Sequence, residues 1–466
     1  MKRRWLLVTL SLAALTLLLR GSASHAAGPT YRNTSTVHLP PVMSQLTSFD
    51  LSFVDSTTGT FVFTDRNNKS LDAFDTRDGR FLGASDPLFV GISPSGCNAG
   101  GPNGVVIISS GAANGDRGQA WSGDGNSTLK VIDLNSLTLV GLPIPTGGVC
   151  RANELWWDPE DEEIVIGNGS DMPEFLTFIS TKASPGPGSV LGQLIYDGGS
   201  GCGSGTGSGV PNLTVPRCHT VKAINNMEEP EFDLHHFWVD IPGNPAAAEE
   251  PERLGHIDEI DPKTFQVLNS ISLPDCVNRT LDPPVFGPQG LTVGPDHIAA
   301  LACPTGVQLV NLSTRATVGS PVAGTGGADQ IQWNRGDNHV YVPNSNALTP
   351  GGCANNDSAV VAARSPTPPA PSVTPAQANS CVAVIDASDP NKPSVIAEVQ
   401  LPADAGSHSV AVDSQLNKVF VPVKDSTCTQ TTACPPVASS ITPCPVPAEA
   451  GGCVHDQGIA IIQLGP

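Results

Sequence analysis

One short phrase recurs along this chain and limits its possible folds more than any other feature. The phrase is an apolar run, an Asp or Asn, four to six turn residues, and then a run rich in β-branched and aromatic residues. The clearest copies are LSFVDSTTGTFVFTDR from Leu51, ELWWDPEDEEIVIGNG from Glu154, QIQWNRGDNHVYVPNSN from Gln330 and SVAVDSQLNKVFVPVKD from Ser409. Each copy predicts a strand, a tight connection and a second strand. A β unit that returns along a chain indicates a repeat architecture.

The Asp or Asn of each phrase fixes the register between copies. The five clear anchors each precede an apolar residue by six positions, and they are Asp55 with Phe61, Asp158 with Ile164, Asp233 with Val239, Asn334 with Val340 and Asp413 with Val419. Two weaker copies keep only the apolar strand, PNGVVII from Pro102 and PQGLTVG from Pro288. The seven copies begin roughly 40 to 80 residues apart, and the shortest interval is that of a propeller blade. The sequence therefore predicts an all-β, seven-bladed β-propeller of four-stranded blades in a single domain over residues 28–466.

The two ends of the chain predict how the ring closes. After Ser409 only three strands fit before the C-terminus, the last of them GIAIIQL from Gly458. Near the N-terminus, TVHLP over Thr36–Pro40 resembles the outer strand AEVQLP from Ala397. We expect the N-terminal segment to supply the missing fourth strand, because closure removes the open sheet edges.

The first 27 residues have the pattern of a secretory signal peptide. Lys2, Arg3 and Arg4 precede an apolar core from Trp5 to Leu19, and a small-residue site lies near Ala26. The apolar core is short for a membrane span, which needs about 20 residues. We therefore expect cleavage near Ala26, a secreted or periplasmic location, and no membrane span in the mature chain.

The cysteines also fit an exported protein. The chain has 12 Cys, all after the predicted signal peptide, and no C-x-x-C. An even number of Cys in an exported chain predicts disulfide bonds. Proximity suggests the following pairs: Cys202 with Cys218, Cys276 with Cys303, Cys353 with Cys381, and Cys428, Cys434, Cys444 and Cys453 among themselves. Long Cys-closed loops are accordingly expected near 198–218 and 351–381.

The charge balance limits the partners. The chain has 24 Lys and Arg against 44 Asp and Glu, a formal net charge of −20. Nucleic-acid binding requires a concentration of basic side chains, so we expect no nucleic-acid partner. A monomer that binds a small molecule or a protein is the expectation.

Aligned copies place polar residues at equivalent positions, five residues before the anchor, where the innermost strand of each blade begins. They are Asp50, Asn103, Asn153, Glu228, Gln289, Asp329 and His408, and we call them the mouth ring. The following position adds Glu154, Glu229, Gln330 and Ser409. Innermost strands begin at one mouth of the central channel, so these side chains are expected to converge there.

Two interpretations of the mouth ring stay open. Converging carboxylate and amide oxygens suit a ligand or a hard divalent cation such as Ca²⁺. A channel mouth that is simply solvated would also be polar. His408 is the one ring member that titrates near neutral pH, so it and Asp329 are the candidates for acid–base chemistry. No other catalytic residue is predicted, and a hydrogen-bonded structural role for His408 is the alternative.

Several phrases resemble the YVTN-type repeat of exported bacterial propellers. The phrases are STLKVIDLNSLTLV (Ser127 to Val140), SCVAVIDASDP (Ser380 to Pro390) and HSVAVDSQLNKVFVPV (His408 to Val423). The resemblance extends from about Thr36 to the C-terminus. It implies an exported binding or surface protein, most members being non-enzymatic. The expected function is a ligand- or protein-binding module that works through the polar mouth of its channel.

A weaker similarity is to the gluconolactonase and regucalcin propellers. That resemblance implies one divalent cation held by a Glu, Asn residues and an Asp at the channel mouth. The matching residues here are Asn103, Asn153, Glu154, Glu228 and Asp329, with Asp50, Gln289, Gln330 and His408 lining the mouth around them. The alternative function is therefore a metal-dependent lactone or ester hydrolase, with Ca²⁺ or another divalent cation as cofactor.

Overall fold

The structure, a computed structural model, confirms the all-β propeller. It describes residues 31–40, 42–92, 99–109, 115–182, 186–196, 217–219, 227–244, 253–279, 284–344, 380–401, 406–424 and 457–464. Seven sheets of four or five strands follow one another along the chain, and each is one blade. The predicted signal peptide and most of the loops near 198–218 and 351–381 lie outside the described residues.

The first three blades come from the first half of the chain. Blade 1 comprises β2 (Phe49–Asp55), β3 (Thr60–Asp65), β4 (Ser70–Asp75) and β5 (Phe81–Ala84). Blade 2 comprises β6 (Val105–Ile108), β7 (Gln119–Asp124), β8 (Thr128–Asp133) and two short outer strands that both pair with β8, β9 (Thr138–Leu139) and β10 (Ile144–Pro145). Blade 3 comprises β11 (Leu155–Asp158), β12 (Glu163–Asn168), β13 (Glu174–Ser180), β14 (Val190–Tyr196) and a fifth strand parallel to β14, β15 (Arg217–His219).

The next three blades are regular. Blade 4 comprises β16 (Pro230–Phe232), β17 (Phe237–Ile241), β18 (His256–Asp261) and β19 (Gln266–Ser272). A small hairpin, β20 (Val277–Asn278) with β21 (Val285–Phe286), leads to blade 5. Blade 5 comprises β22 (Leu291–Val293), a three-residue 3₁₀ turn (Pro295–His297), β23 (Ile298–Cys303), β24 (Gly306–Asn311) and β25 (Ala316–Val322). Blade 6 comprises β26 (Gln332–Asn334), β27 (His339–Asn344), β28 (Cys381–Asp386) and β29 (Ser394–Gln400).

Blade 7 closes the ring as predicted from the two ends of the sequence. It comprises β30 (Ala411–Asp413), β31 (Lys418–Val423), β32 (Gly458–Leu464) and, outermost, β1 (Tyr31–His38). β1 pairs antiparallel with β32, from Tyr31 opposite Leu464 to His38 opposite Gly458. The pairing begins five residues earlier than the predicted segment at Thr36. Because the first and last described strands share one sheet, the chain ends hold the ring together.

The Asp or Asn anchors of the repeated phrase form the turns between the first and second strands. The side chain of each anchor accepts a hydrogen bond from the backbone N–H two residues on, which forms the turn between the first and second strands. The distances are 2.9 Å for Thr57 to Asp55, 2.6 Å for Glu160 to Asp158, 3.0 Å for His235 to Asp233, 2.8 Å for Gly336 to Asn334 and 3.0 Å for Gln415 to Asp413. The recurring Asp or Asn is therefore a structural feature of each hairpin.

The core lies between the blades. Side chains alternate along each strand, so successive residues contact opposite neighbours. In β3, for example, Phe61 and Phe63 pack towards blade 7, whereas Val62 packs towards blade 2. Seven apolar clusters result among the described residues, one for each contact between adjacent blades. Each blade thus buries both faces, and none has a complete core without its neighbours.

The disulfide predicted between Cys276 and Cys303 is present, and it ties the segment before blade 5 to the end of β23. Cys150 and Cys381 are also disulfide-bonded. The other proposed pairs each include a residue outside the described ranges. No helix within those ranges has the length and apolar character needed to cross a membrane.

Candidate binding site at the channel mouth

The structure places all seven members of the mouth ring at the start of an innermost strand. Asp50 lies within β2, and the others lie two or three residues before the innermost strand of their own blade. Side chains of the ring contact the neighbouring blade. The Asn153 amide donates to Glu228 Oε2 at 3.1 Å, and the Asn103 amide donates to the backbone oxygen of Ala152 at 2.7 Å. The register read from the sequence therefore brings these side chains to one end of the ring.

Two glycines let the inner strands approach closely beside the ring. Gly104 and Gly290 each follow a ring residue in the two weaker copies of the phrase. A Cβ on Gly104 would lie 2.6 Å from the Cα of Glu154, and one on Gly290 would lie 2.2 Å from the backbone oxygen of Asp329. Any larger residue would push the neighbouring blade outward, so these positions keep the mouth narrow.

Three basic side chains enter the mouth from outside the ring, and the sequence reasoning missed them. Arg66 directly follows β3, Lys424 directly follows β31, and Arg151 precedes Asn153 by two residues. The sequence positions of Arg66 and Lys424 could have indicated their place at the mouth. A second strand runs antiparallel to the first, so the residue after it returns to the mouth. The mouth is therefore of mixed charge, although every member of the predicted ring is acidic, neutral or a histidine.

Arg66 contacts three groups of the mouth. Its Nη2 lies 2.6 Å from Asp50 Oδ2 and donates to Asn103 Oδ1 at 2.6 Å, while its Nε donates to the backbone oxygen of Pro102 at 3.2 Å. The guanidinium therefore joins blades 1 and 2. It also occupies the amide oxygen of Asn103, which was a predicted metal ligand.

His408 is held by backbone oxygens. Its Nδ1 lies 3.2 Å from the oxygen of Gly406, its Nε2 lies 3.2 Å from that of Phe49, and its ring stacks on the Phe49 ring at 4.6 Å. A carbonyl oxygen only accepts hydrogen bonds. Each contact is a hydrogen bond when the ring nitrogen concerned carries the proton, and together with the stacking on Phe49 the two contacts hold the ring in place.

Arg151 differs from Arg66 in having almost no partner. It is 7% exposed, and its Nε has no hydrogen-bond partner. Its nearest ion pair within the described part of the chain is long, 3.9 Å from Nη1 to Asp50 Oδ2. Burial alone would lower the pKa of Arg151, but the carboxylates of Asp50, Glu228, Glu154 and Asp329 raise it. A charged guanidinium is therefore buried at the mouth with donors to spare.

Unpartnered oxygens lie beside Arg151 on the same segment. Asn153 is fully buried and Glu154 is 2% exposed, yet Asn153 Oδ1 and Glu154 Oε2 have no hydrogen-bond partner. Burial, followed by the charges of Glu228, Glu229, Asp329 and Asp50, raises the pKa of Glu154 well above its usual range. Buried polar groups without partners are uncommon in native proteins, so three of them in four residues indicate a place where another molecule or ordered water binds.

Asp329 is the acidic residue of the mouth whose carboxyl group makes no hydrogen bond to another described residue. It is half-buried, and among the described residues no hydrogen bond or ion pair within 4 Å reaches its carboxylate. Burial raises its pKa, and the nearby charge of Asp50 adds to this, whereas His408, Arg151 and Arg66 lower it. Lys424 is close enough for these acids to act on it, and it sits over the Phe49 ring at 5.2 Å. Burial lowers the pKa of Lys424.

A group of possible metal ligands also lies at the mouth. One ligand atom from each of Asp50, Asp329 and His408 falls within 4.8 Å of the other two. It is the one such group of three or more His, Cys, Asp or Glu side chains in the described ranges. Of the predicted metal set, it includes Asp329 and neither Glu154 nor Glu228. Gln289 is half-buried, and its backbone N–H donates to Ala302 at 3.0 Å.

Just below the ring, polar side chains have complete hydrogen bonding. Gln330 Oε1 accepts from Ser409 Oγ at 2.6 Å and from the Val410 N–H at 3.2 Å, and its Nε2 donates to the Ser52 oxygen at 3.0 Å and to Glu229 Oε1 at 3.2 Å. Ser52 Oγ and Ser409 Oγ are 2.8 Å apart. We call Ser52, Glu229, Gln330 and Ser409 the channel network.

The channel network and the residues below it satisfy the open edges of the innermost strands. Each innermost strand pairs with the second strand of its blade along one edge. The N–H groups on its other edge, which faces the channel, need other acceptors. Side chains of the preceding blade supply them, as Glu229 does for the Leu291 N–H at 3.4 Å and Gln332 for the Val412 N–H at 3.0 Å. Glu231 does the same for the Val293 N–H. Part of the polarity read from the sequence therefore serves the fold.

Comparison with known proteins supports the fold and goes no further. No family model matches the chain, and no curated protein matches it. Among solved structures 1320 chains match. One is described as the crystal structure of the mitotic checkpoint complex, with 10% sequence identity over 83% of this chain and 87% of that chain, at a TM-score of 0.50. At that identity the likeness concerns the propeller alone.

Proposed function

We propose that this propeller is an exported binding module whose ligand, a small molecule or a segment of a protein, engages the mouth of the central channel. The observation that carries the proposal is Arg151. Its guanidinium is buried at the mouth, keeps its charge, and has no hydrogen-bond partner in the described part of the chain. Buried N–H donors without acceptors are costly, and a ligand acceptor would remove that cost.

The neighbours of Arg151 support the same function. Asn153 Oδ1 and Glu154 Oε2 have no hydrogen-bond partner, and the Asp329 carboxylate lies at the same mouth beside Asp50 and His408. The mouth therefore offers donors and acceptors together. Binding sites commonly combine a concave setting with a few convergent polar groups. The seven-bladed ring supplies the rigid support that such groups need.

The experiment is a thermal-shift screen of a chemically diverse library against the wild-type protein and Arg151→Lys. A ligand at 100 times its dissociation constant stabilises by about 2.7 kcal/mol, which we expect to raise the melting temperature by roughly 2–5 °C. Hits that use the mouth lose this shift in Arg151→Lys. They keep it in the control Arg315→Lys, an exposed arginine that pairs with Glu259 at 2.8 Å on the outside of the ring. The proposal loses its basis if every hit raises the melting temperature of Arg151→Lys as much as that of Arg315→Lys, or if no compound stabilises either variant.

Export and membership of the YVTN-type propellers belong to the same proposal. The hairpin anchors, the closing N-terminal strand and the Cys276–Cys303 disulfide support it. N-terminal sequencing of the mature protein from culture fluid or periplasm tests export. Cleavage near Ala26 is expected, and recovery of an intact N-terminus from the cytoplasm contradicts it.

A second candidate function is a metal-dependent lactone or ester hydrolase. The grouping of Asp50, Asp329 and His408 within 4.8 Å favours it. Arg66 at 2.6 Å from Asp50 and the backbone contacts of His408 count against it, because a divalent cation would have to displace them. Thermal melting with Ca²⁺, Mg²⁺ or Mn²⁺ tests this candidate, with a lactone panel and Asp329→Ala as the control for catalysis. No stabilisation by any of the three ions would rule it out.

A further inference from the structure

We propose that the ligand of the channel mouth is a zwitterion of the α-amino acid type, with its carboxylate on Arg151 and its ammonium group on Asp329. This inference rests on the proposed function, since it requires the mouth to be a binding site. It adds the chemical class of the ligand and the role of each charged side chain.

The carboxylate position follows from the shape of the guanidinium. A guanidinium presents parallel N–H donors that match the two oxygens of a carboxylate. Arg66 already uses its donors on Asp50, Asn103 and Pro102. Arg151 has no hydrogen bond among the described residues and an unpartnered Nε. Glu154 has a raised pKa, so its carboxyl group can carry a proton and donate to the same ligand group.

The ammonium position follows from the unpaired acceptors. An ammonium group has three donors and no acceptor. Asp329 is a half-buried carboxylate that no side chain pairs with inside the described ranges. Asn153 Oδ1 is a buried neutral acceptor on the segment that carries Arg151. No ion pair within 4 Å joins Arg151 to Asp329, although each acts on the pKa of the other. A ligand that contacts both side chains would supply the hydrogen bonds that the described residues do not give them.

The mixed charge of the mouth disfavours a ligand of one sign. A simple anion on Arg151 would also face the carboxylates of Asp329 and Asp50. A simple cation on Asp329 would also face Arg151 and Arg66. Like charges brought together away from water are strongly unfavourable. A molecule with one positive and one negative group offers hydrogen bonds to Arg151 and Asp329 at once.

The experiment is isothermal titration calorimetry in a buffer free of amino acids. The probes are L-alanine, L-glutamate, L-arginine and diglycine, together with propionate, ethylamine and succinate as ligands that lack one of the two charges, and Ca²⁺. The proteins are the wild type, Arg151→Lys, Asp329→Asn and the control Arg315→Lys. Thermal melting confirms that each variant is folded before titration.

We expect at least one of the four zwitterions to bind the wild type and Arg315→Lys equally. Asp329→Asn removes one partner of a charge pair, and Arg151→Lys keeps the charge but removes the parallel N–H donors that match a carboxylate. Each should weaken that binding by about 10- to 100-fold. The single-charge probes should bind the wild type more weakly by a similar factor.

Three results would overturn the inference. Binding of succinate that depends on Arg151 and not on Asp329 would make the ligand an anion, while the proposed binding function stands. Binding of Ca²⁺ that Asp329→Asn abolishes, without binding of any zwitterion, would favour the metal candidate. If no probe binds and the wider thermal-shift screen also finds no ligand that depends on Arg151, the inference and the proposed function fail together.

Discussion

Two regions of the channel have the same polarity in the sequence and differ in what that polarity does. In the channel network, Ser52, Glu229, Gln330 and Ser409 satisfy one another and the backbone of the next blade. At the mouth, Arg151, Asn153 and Glu154 are just as buried and keep polar atoms without partners. A polar side chain in a propeller channel is thus evidence of a site only when its hydrogen bonds are incomplete.

The largest expected effect comes from breaking the channel network. Gln330→Leu removes the acceptor of the Ser409 hydroxyl and the Val410 N–H and leaves them buried, at about 1–3 kcal/mol for each unsatisfied group. We expect urea unfolding at pH 7 to show a loss of roughly 3–5 kcal/mol. Gln289→Leu is the matched control, because no hydrogen bond of that side chain occurs among the described residues. Equal losses in the two variants would mean that the network is not structural.

The next effect concerns the dependence of stability on pH. Burial raises the pKa of Glu231 to about 8. The folded protein therefore holds a proton that the unfolded chain releases near pH 4.5. The stabilisation that this bound proton gives the folded state is complete below pH 4.5 and is lost as the pH rises to about 8. With about 1.4 kcal/mol for each unit of pKa difference, this group should lower the unfolding free energy by roughly 1 kcal/mol per pH unit between pH 5 and 8.

Glu231→Gln isolates that contribution, because Gln keeps an acceptor for the Val293 N–H and does not ionise. Urea titrations at pH 5, 6.5 and 8 should show that the unfolding free energy of this variant falls less steeply with pH than that of the wild type. Glu160→Gln, an exposed position, should leave the wild-type slope unchanged. A Glu231→Gln slope as steep as that of the wild type would show that the residue is ionised in the folded protein at neutral pH.

A smaller effect is expected for the two serines of the channel network. Ser409→Ala removes a hydrogen bond to Gln330 and one to Ser52, at about 1 kcal/mol. A double-mutant cycle with Ser52→Ala should give a coupling energy of roughly 0.5–1.5 kcal/mol, because the two hydroxyl groups share a hydrogen bond. If the losses of unfolding free energy in the two single variants simply add up in the double variant, the two serines act independently and the channel network is not connected.

The smallest effect is expected at the mouth. Arg151→Lys keeps the charge and removes donors that have no partner within the described part of the chain, so stability should change by less than about 1 kcal/mol. Arg66→Lys is the comparison, since Arg66 loses contacts to Asp50, Asn103 and Pro102, at roughly 2–3 kcal/mol. Urea unfolding of the two variants measures both. A large loss in Arg151→Lys would assign that side chain to the fold.

The sequence was sufficient for the fold because the information is local and repeated. Each Asp or Asn anchor makes its own turn, and alternation along strands such as β3 places side chains towards both neighbouring blades. Even the closing strand was visible, since Thr36–Pro40 has the pattern of an outer strand. The sequence did not predict that this strand begins at Tyr31, because no residue pattern indicates where pairing with β32 starts.

The site was predicted only in part, because it depends on contacts between blades. The ring positions followed from the register, but Arg66 and Lys424 reach the mouth from the ends of second strands. The sequence also does not show which polar side chains the neighbouring blade uses. Gln330 looks equivalent to Glu154 in the alignment, yet the first has a full set of partners and the second has a free oxygen. That difference depends on the offset between adjacent innermost strands, which no repeat pattern encodes.

The most direct test of the central claim is a high-resolution crystal structure of the protein soaked with the tightest-binding zwitterion. The account predicts density for the ligand with its carboxylate within hydrogen-bond distance of the Arg151 guanidinium and its ammonium group on Asp329, while Gln330 and Ser409 keep their present contacts. A mouth in which Arg151 and Asp329 are bridged by ordered water alone, at ligand concentrations that saturate the calorimetric signal, would contradict it.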